Sequence, residues 1–171
     1  MTRTSLANVN CSLAQALEIV GDKWAMMIIR DAFYGVRTFS GFQRRLGIAR
    51  NILTDRLKTL VGGGVLEKVA QRDDGERMEY QLTARGRELF PILVALMQWG
   101  DKWIMGPGRE PVRVLDTKNR APVPTIAVTS RDGRFLESTD VRFTPGPGAD
   151  EATRAQFERA AARAQEAGLQ D

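Results

Sequence analysis

The chain has 171 residues, 43% of them apolar and 27% charged, with no histidine, a single cysteine and a net charge of +4. Without histidine the commonest general base and the commonest metal ligand are both missing, and one thiol can make no internal disulfide. No catalytic constellation, cofactor or metal site is therefore expected, and the lack of a long apolar run or secretory h-region predicts a cytoplasmic protein with no membrane partner.

Residues 12–20 (SLAQALEIV) place Leu13, Leu17 and Val20 on one face of a first helix. Asp22 is a plausible N-cap for a second, WAMMIIRDAFY, which is apolar on most sides and so reads as the buried centre of a domain. The spacing of Ser40 and Gln43 in SGFQRRLG matches a capping box, and Gly47 ends that short helix. IARNILTDRLKTLV follows after a tight turn and stops at three glycines. Two helices joined in this way have the form of a helix-turn-helix.

The period then changes. VLEKVAQR and RMEYQLT alternate like strands around DDGE, a hairpin signal, so the helix-turn-helix is predicted to carry a wing. Thr83 caps a long helix, residues 84–105, in which Pro91 should introduce a kink or delay the regular start. That helix has two apolar stripes. One is Leu89, Leu93, Leu96, Gly100 and Trp103; the other is Phe90, Val94, Met97 and Ile104. A helix apolar on two faces needs two partners, and a second subunit is the expected one, against the alternative of full burial in a monomer.

Beyond Gly106 the character shifts. Residues 112–143 read as three or four short strands, with RDG as one turn, and the Ala-rich end as either a helix or a disordered tail. The expected division is 1–106, a winged helix-turn-helix domain with its dimerisation helix; 107–148, a small β extension; and 149–171, the tail. The fold class is mainly α with a small β component (α+β).

Charge is unevenly placed. Up to Gly106 fifteen Lys/Arg stand against eleven Asp/Glu, whereas beyond it the counts are ten and ten. Residues 37–58 hold six basic residues and one acid, Asp55, which is the footprint expected of a double-stranded DNA binder. In the helix after the turn, Leu53, Leu57 and Leu60 define an inner side, and Asn51, Thr54, Asp55 and Lys58 the outer one, with Arg50 at the N-terminal end. Arg reads guanine, Asn reads adenine, Thr contacts a thymine methyl, and Asp accepts from cytosine or orients a neighbouring cation. Ser40, Gln43 and Arg44, with Arg45 less clearly so, are placed for phosphate contacts. Arg72 and Arg77 flank the wing, where a cation can border the minor groove.

In order and spacing, CSLAQALEIVGDKW, FSGFQRRL, ILTDRLKTL, VLEKV and MEYQLTARGREL resemble the HxlR-type winged-helix transcriptional regulators over about Cys11 to Trp103. The resemblance implies a homodimeric DNA-binding regulator, in the main a repressor, that binds a pseudo-palindromic operator. It implies dimerisation through the first and long C-terminal helices, with Leu13, Leu17, Phe90, Val94, Met97 and Ile104 at the interface. It also places the family's N-terminal cysteine, which in several members answers oxidants or electrophiles, on Cys11, and the recognition helix on 49–62. The sequence departs from the family at the wing tip RDDGER, which is acidic, and in continuing past the usual end. That continuation looks like a zinc ribbon whose cysteines are missing from the turns KNRAP and SRDGR, so a metal-free ribbon is expected.

Cys11 lies where a helix begins, and unpaired amides and the helix dipole there favour a thiolate. The alternative is a small packing residue. Two rival functions stand beside the redox-responsive repressor: a ligand-responsive regulator independent of Cys11, and a winged-helix protein-interaction module without DNA readout.

Overall fold

The structure is a computed structural model that describes residues 5–71 and 74–166, with residues 71, 74–77, 164 and 166 described by their backbone alone. It divides into two compact units, residues 16–126 and residues 1–15 with 127–171.

The larger unit is built by local signals that act one after another. Helix α1 (Ser12–Val20) ends at Gly21. Asp22, in an extended conformation, accepts from the Trp24 amide and starts α2 (Lys23–Phe33), whose Ala25, Ile28 and Ile29 have no exposed surface. Helix α3 (Phe39–Leu46) is capped by Thr38, whose hydroxyl accepts from the Gly41 amide. This corrects the Ser40–Gln43 capping box: Thr38 adopts the extended backbone that a cap requires, and Ser40 lies inside the first turn. Gly47 closes α3 at φ 63°, the left-handed region where a side chain is strained, and so turns the chain into α4 (Arg50–Gly62).

Phe42, Leu53, Leu57 and Leu60 from α3 and α4 meet Ile28 and Ile29 of α2 in one core, which Val65 and Leu66 close from the wing. Strands β1 (Leu66–Gln71) and β2 (Asp74–Leu82) pair antiparallel, from Leu66 opposite Leu82 to Gln71 opposite Asp74. Asp74, Gly75 and Glu76, expected in the turn, belong to β2. The Tyr80 amide donates to the Arg37 carbonyl and ties the wing to the segment before α3.

Thr83 then does two jobs. Its hydroxyl accepts from the Gly86 amide, capping α5 (Ala84–Arg87), and donates to the Gly64 carbonyl. Gly86 packs so closely on the Val65 carbonyl that a Cβ has no room there. The helix over 84–105 has the delayed regular start expected of Pro91: α5 stops before that residue, α6 (Phe90–Gly100) begins around it, and a π-helical turn (Asp101–Met105) follows. Proline lacks the amide an uninterrupted helix needs, so the restart falls at that residue.

The segment after Gly106 folds back on α6. Gln98 donates from Nε2 to the Pro124 carbonyl at 3.0 Å and accepts at Oε1 from the Ile126 amide at 2.8 Å. The α6 face carrying Val94, Met97 and Gln98, together with Val112, Val114 and Val123, lines a cavity of about 400 Å³. Among the described residues the extension holds two isolated bridges, Leu115–Pro122 and Thr129–Phe135, in place of the three or four strands expected. Its turns are closed locally, by Asp116 and Asn119 in one and Ser130 in the other, so little ladder is left to form.

In the smaller unit, Asn10 is bonded to the start of α7 (Glu151–Glu166). Its Oδ1 accepts from the Asp150 amide and the Thr153 hydroxyl, and its Nδ2 donates to the Gly148 carbonyl. Asp150 accepts from the Thr153 amide, and that hydrogen bond lowers its carboxyl below the usual range. Among the described residues no helix is long and apolar enough to cross a membrane.

Candidate nucleic-acid interface

Helix α4 divides into two faces as its 3.6-residue period requires. Leu53, Leu57 and Leu60 are buried, while Asn51, Thr54, Asp55 and Lys58 are all exposed, with Arg50 exposed at the N-terminal end. The Thr54 hydroxyl donates back to the Arg50 carbonyl at 2.8 Å, which fixes the side chain against the helix.

The N-terminus of α4 differs from those of α2, α3 and α5. Those three are capped by Asp22, Thr38 and Thr83, whereas α4 begins after Ala49 with no side-chain cap. Its first amides therefore face outward without an intramolecular acceptor from a cap.

The six cations of residues 37–58 sort into two groups. Arg56 Nε lies 3.1 Å from Asp22, Arg45 Nε lies 3.3 Å from Asp31, and Arg37 reaches Glu79 at 3.8 Å. Arg45 also stacks near the Tyr34 ring, which holds it to α2. Arg44, Arg50 and Lys58 have no acidic partner within 4 Å among the described residues. Arg50 instead lies over the ring of Phe39, with its guanidinium carbon 5.0 Å from the centroid. Half of the basic cluster thus serves the fold, a split that charge counting along the sequence had no means of making.

Ser40 is exposed on the first turn of α3 and Gln43 is half-buried one turn on, beside Arg44. Arg77 lies on β2, with its side chain outside the described set, and Arg72 lies outside the described residues altogether. Cys11 is exposed, and its carbonyl accepts from the Gln15 amide, so it occupies the cap position of α1.

The apolar faces of α6 need one correction. Val94 is 1% exposed, walled in with Met97, Val112 and Val123, so the chain's own extension covers it and no second subunit can reach it. What stays open is a different stripe, Ile92, Leu96, Trp99 and Trp103, each more than half exposed, flanked by Phe90 and Ile104. Sequence reasoning placed Leu96 and Trp103 in one stripe and left Ile92 and Trp99 out of both, because it had no way to know which face the extension would take. On α1, Leu13 and Leu17 are also exposed.

The model of the HxlR-like helix-turn-helix family matches residues 19–107, which include α2, α3, α4, the wing and α6. Rv3095 of Mycobacterium tuberculosis (strain ATCC 25618 / H37Rv), an uncharacterised HTH-type transcriptional regulator, is 39% identical over 137 residues, 80% of this chain and 87% of its own. PA1607, a solved structure described as a candidate transcription factor, is 41% identical with a TM-score of 0.78, over 84% of this chain and all of that one. PA1374 from Pseudomonas aeruginosa, described in the same terms, is 34% identical with a TM-score of 0.58, over 85% of this chain. These two likenesses cover more of the chain than residues 19–107 comprise, so they reach into the extension. Family model, relatives and fold agree: the chain belongs to the HxlR-like helix-turn-helix family of DNA-binding transcriptional regulators.

Proposed function

We propose that the protein is a homodimeric repressor that lays α4 in the major groove at each half of a pseudo-palindromic operator. The observation that carries this reading is the composition of the exposed α4 face: Arg50, Asn51, Thr54, Asp55 and Lys58, opposite a side buried on three leucines. These are residue types that read base edges, and the recognition helix of such motifs presents its N-terminal residues to them. The uncapped amides at Ala49–Asn51 support backbone contact at the same end, since a phosphate oxygen completes what no side chain does. Ser40, Gln43 and Arg44 on α3 are the expected phosphate contacts, and Arg77 the expected wing contact.

Two copies are joined through the open stripe of α6 and the exposed Leu13 and Leu17 of α1. An exposed apolar stripe such as that of α6, on a small chain, is the usual mark of a protein partner. Cys11, exposed at the cap of α1, is the point at which an electrophile or oxidant releases the operator.

The test is selection of preferred duplexes from a random pool, followed by binding at several salt concentrations. The expected result is an inverted repeat with half-site centres about one helical turn apart and an affinity that falls steeply with salt. Recovery of no sequence preference at low salt overturns the reading.

A further inference from the structure

We propose that Phe39 is a specificity-determining positioning residue, whose ring presets the guanidinium of Arg50 for contact with DNA. The inference rests on α4 being the recognition helix and goes beyond it, because Phe39 lies on α3 and is apolar. Three observations meet here. Phe39 is half-buried and packed against the core, so its ring is fixed by the interior. It opens α3 directly after Thr38, whose cap bond to Gly41 sets the position of that first turn. The guanidinium carbon of Arg50 stands 5.0 Å from the centre of the ring.

Arg50 is exposed and has no carboxylate partner among the described residues, so without the ring its long side chain would sample many rotamers. Ordering such a side chain on binding costs affinity, and a planar guanidinium already stacked on an aromatic face has lost part of that freedom in advance. A stacked guanidinium keeps its N–H edge free, and that edge is what a guanine or a phosphate accepts from. The pair also spans the turn, which ties the helix that positions the motif to the residue that heads the helix that reads. Asp55, the one acid on the α4 face, is five residues away from Arg50 and the two form no ion pair. The ring is therefore the contact that sets the conformation of Arg50.

The experiment is a double-mutant cycle on the full chain. Affinities for the selected duplex and for a scrambled duplex are measured at one salt concentration for the wild type, Phe39→Leu, Arg50→Ala and the double variant, with melting temperatures alongside. Phe39→Leu is expected to lower the ratio of specific to scrambled affinity by about two- to fivefold, the size of an exposed cation–π contact. In the Arg50→Ala background the same change should have no further effect on the ratio, and Phe39→Tyr should restore it in the wild-type background.

If Arg50→Ala lowers the ratio and Phe39→Leu does not, the proposal fails and the reading of α4 stands. If Arg50→Ala leaves the ratio unchanged, Arg50 is not a reader, and the part of that reading on which the proposal rests fails with it. If Phe39→Leu lowers the ratio equally with and without Arg50, the ring acts through packing and the proposal is overturned. Should Phe39→Leu not fold, Arg50→Lys serves: it keeps the charge and loses the planar stack, and an unchanged ratio overturns the proposal.

Discussion

Arg45 Nε lies 3.3 Å from Oδ2 of Asp31, and Asp31 has no exposed surface. The other carboxylate oxygen takes Nε and Nη2 of Arg30 at 3.0 and 2.7 Å. Both guanidiniums also stand within 6 Å of the centre of the Tyr34 ring. One buried acid thus joins the end of α2 to the last turn of α3 and fixes the helix that precedes the turn.

Asp31→Ala removes this junction while leaving both arginines able to reach water. The loss of stability is therefore nearer that of several charge-assisted hydrogen bonds than that of a stranded buried ion, about 2–3 kcal/mol. Urea denaturation measures it, and Arg45→Ala should cost less because Arg30 remains on the carboxylate. A value near zero for Asp31→Ala would show that the junction carries no stability.

The helices, the wing and the inner and outer sides of α4 were legible because each follows from a local rule. Asp22 and Thr83 cap as their chemistry directs, and Leu53, Leu57 and Leu60 recur at helical spacing. The burial of Val94 and the pairing of Arg45 with Asp31 were both illegible in the sequence, for a shared reason. Whether an apolar residue faces a partner, or a cation finds an acid, is decided by what lies across from it, and Val123 and Asp31 are distant in sequence. Ser40 failed differently: two hydroxyl residues stood one apart from the helix start, and backbone conformation chose Thr38.

The split among the cations gives a paired prediction. Lys58→Ala should leave stability unchanged and reduce the slope of log affinity against log salt by about one per subunit, the signature of one lost phosphate contact. Arg56→Ala should do the reverse, because Arg56 is spent on the Asp22 cap: about 1 kcal/mol of stability lost and no change in slope. Equal effects on slope would mean that both side chains face the duplex.

The open stripe on α6 predicts where the proposed dimer breaks. Leu96 and Trp99 lie at its centre, and Leu96→Glu places a charge where an apolar contact would otherwise exclude water. Sedimentation equilibrium should then give the 19.0 kDa mass of one chain, where the unsubstituted protein gives twice that. The same change at Val94 should unfold or loosen the extension instead, since that residue is covered from within.

Gln98 holds the segment 124–126 through both ends of its amide. Gln98→Leu removes the donor and the acceptor together and leaves two backbone groups without a protein partner. Trypsin should then cut faster at Arg113, Lys118 and Arg120, while α2–α4 keep their protection, because local opening follows the contacts that close a segment. Gln98→Glu keeps only the acceptor and should fall between the two. Identical digestion of all three proteins would mean that packing alone seats the extension.

Cys11 is the chain's single thiol, so any thiol chemistry the protein performs must use it. No second cysteine in the same chain can resolve an oxidised sulfur; the products open to it are a bridge to the other subunit's Cys11, a mixed disulfide with a small thiol, or an electrophile adduct. Each adds bulk at the cap of α1, one residue from Asn10, which bonds to the start of α7. Treatment with N-ethylmaleimide should add one adduct per chain, by mass, and weaken operator binding at least tenfold, while Cys11→Ser should bind the operator as the unmodified protein does and be indifferent to the reagent. Loss of binding in the serine variant on treatment would place the response elsewhere. Full retention of binding by the modified protein would rule out adduct formation at Cys11 as the event that releases the operator.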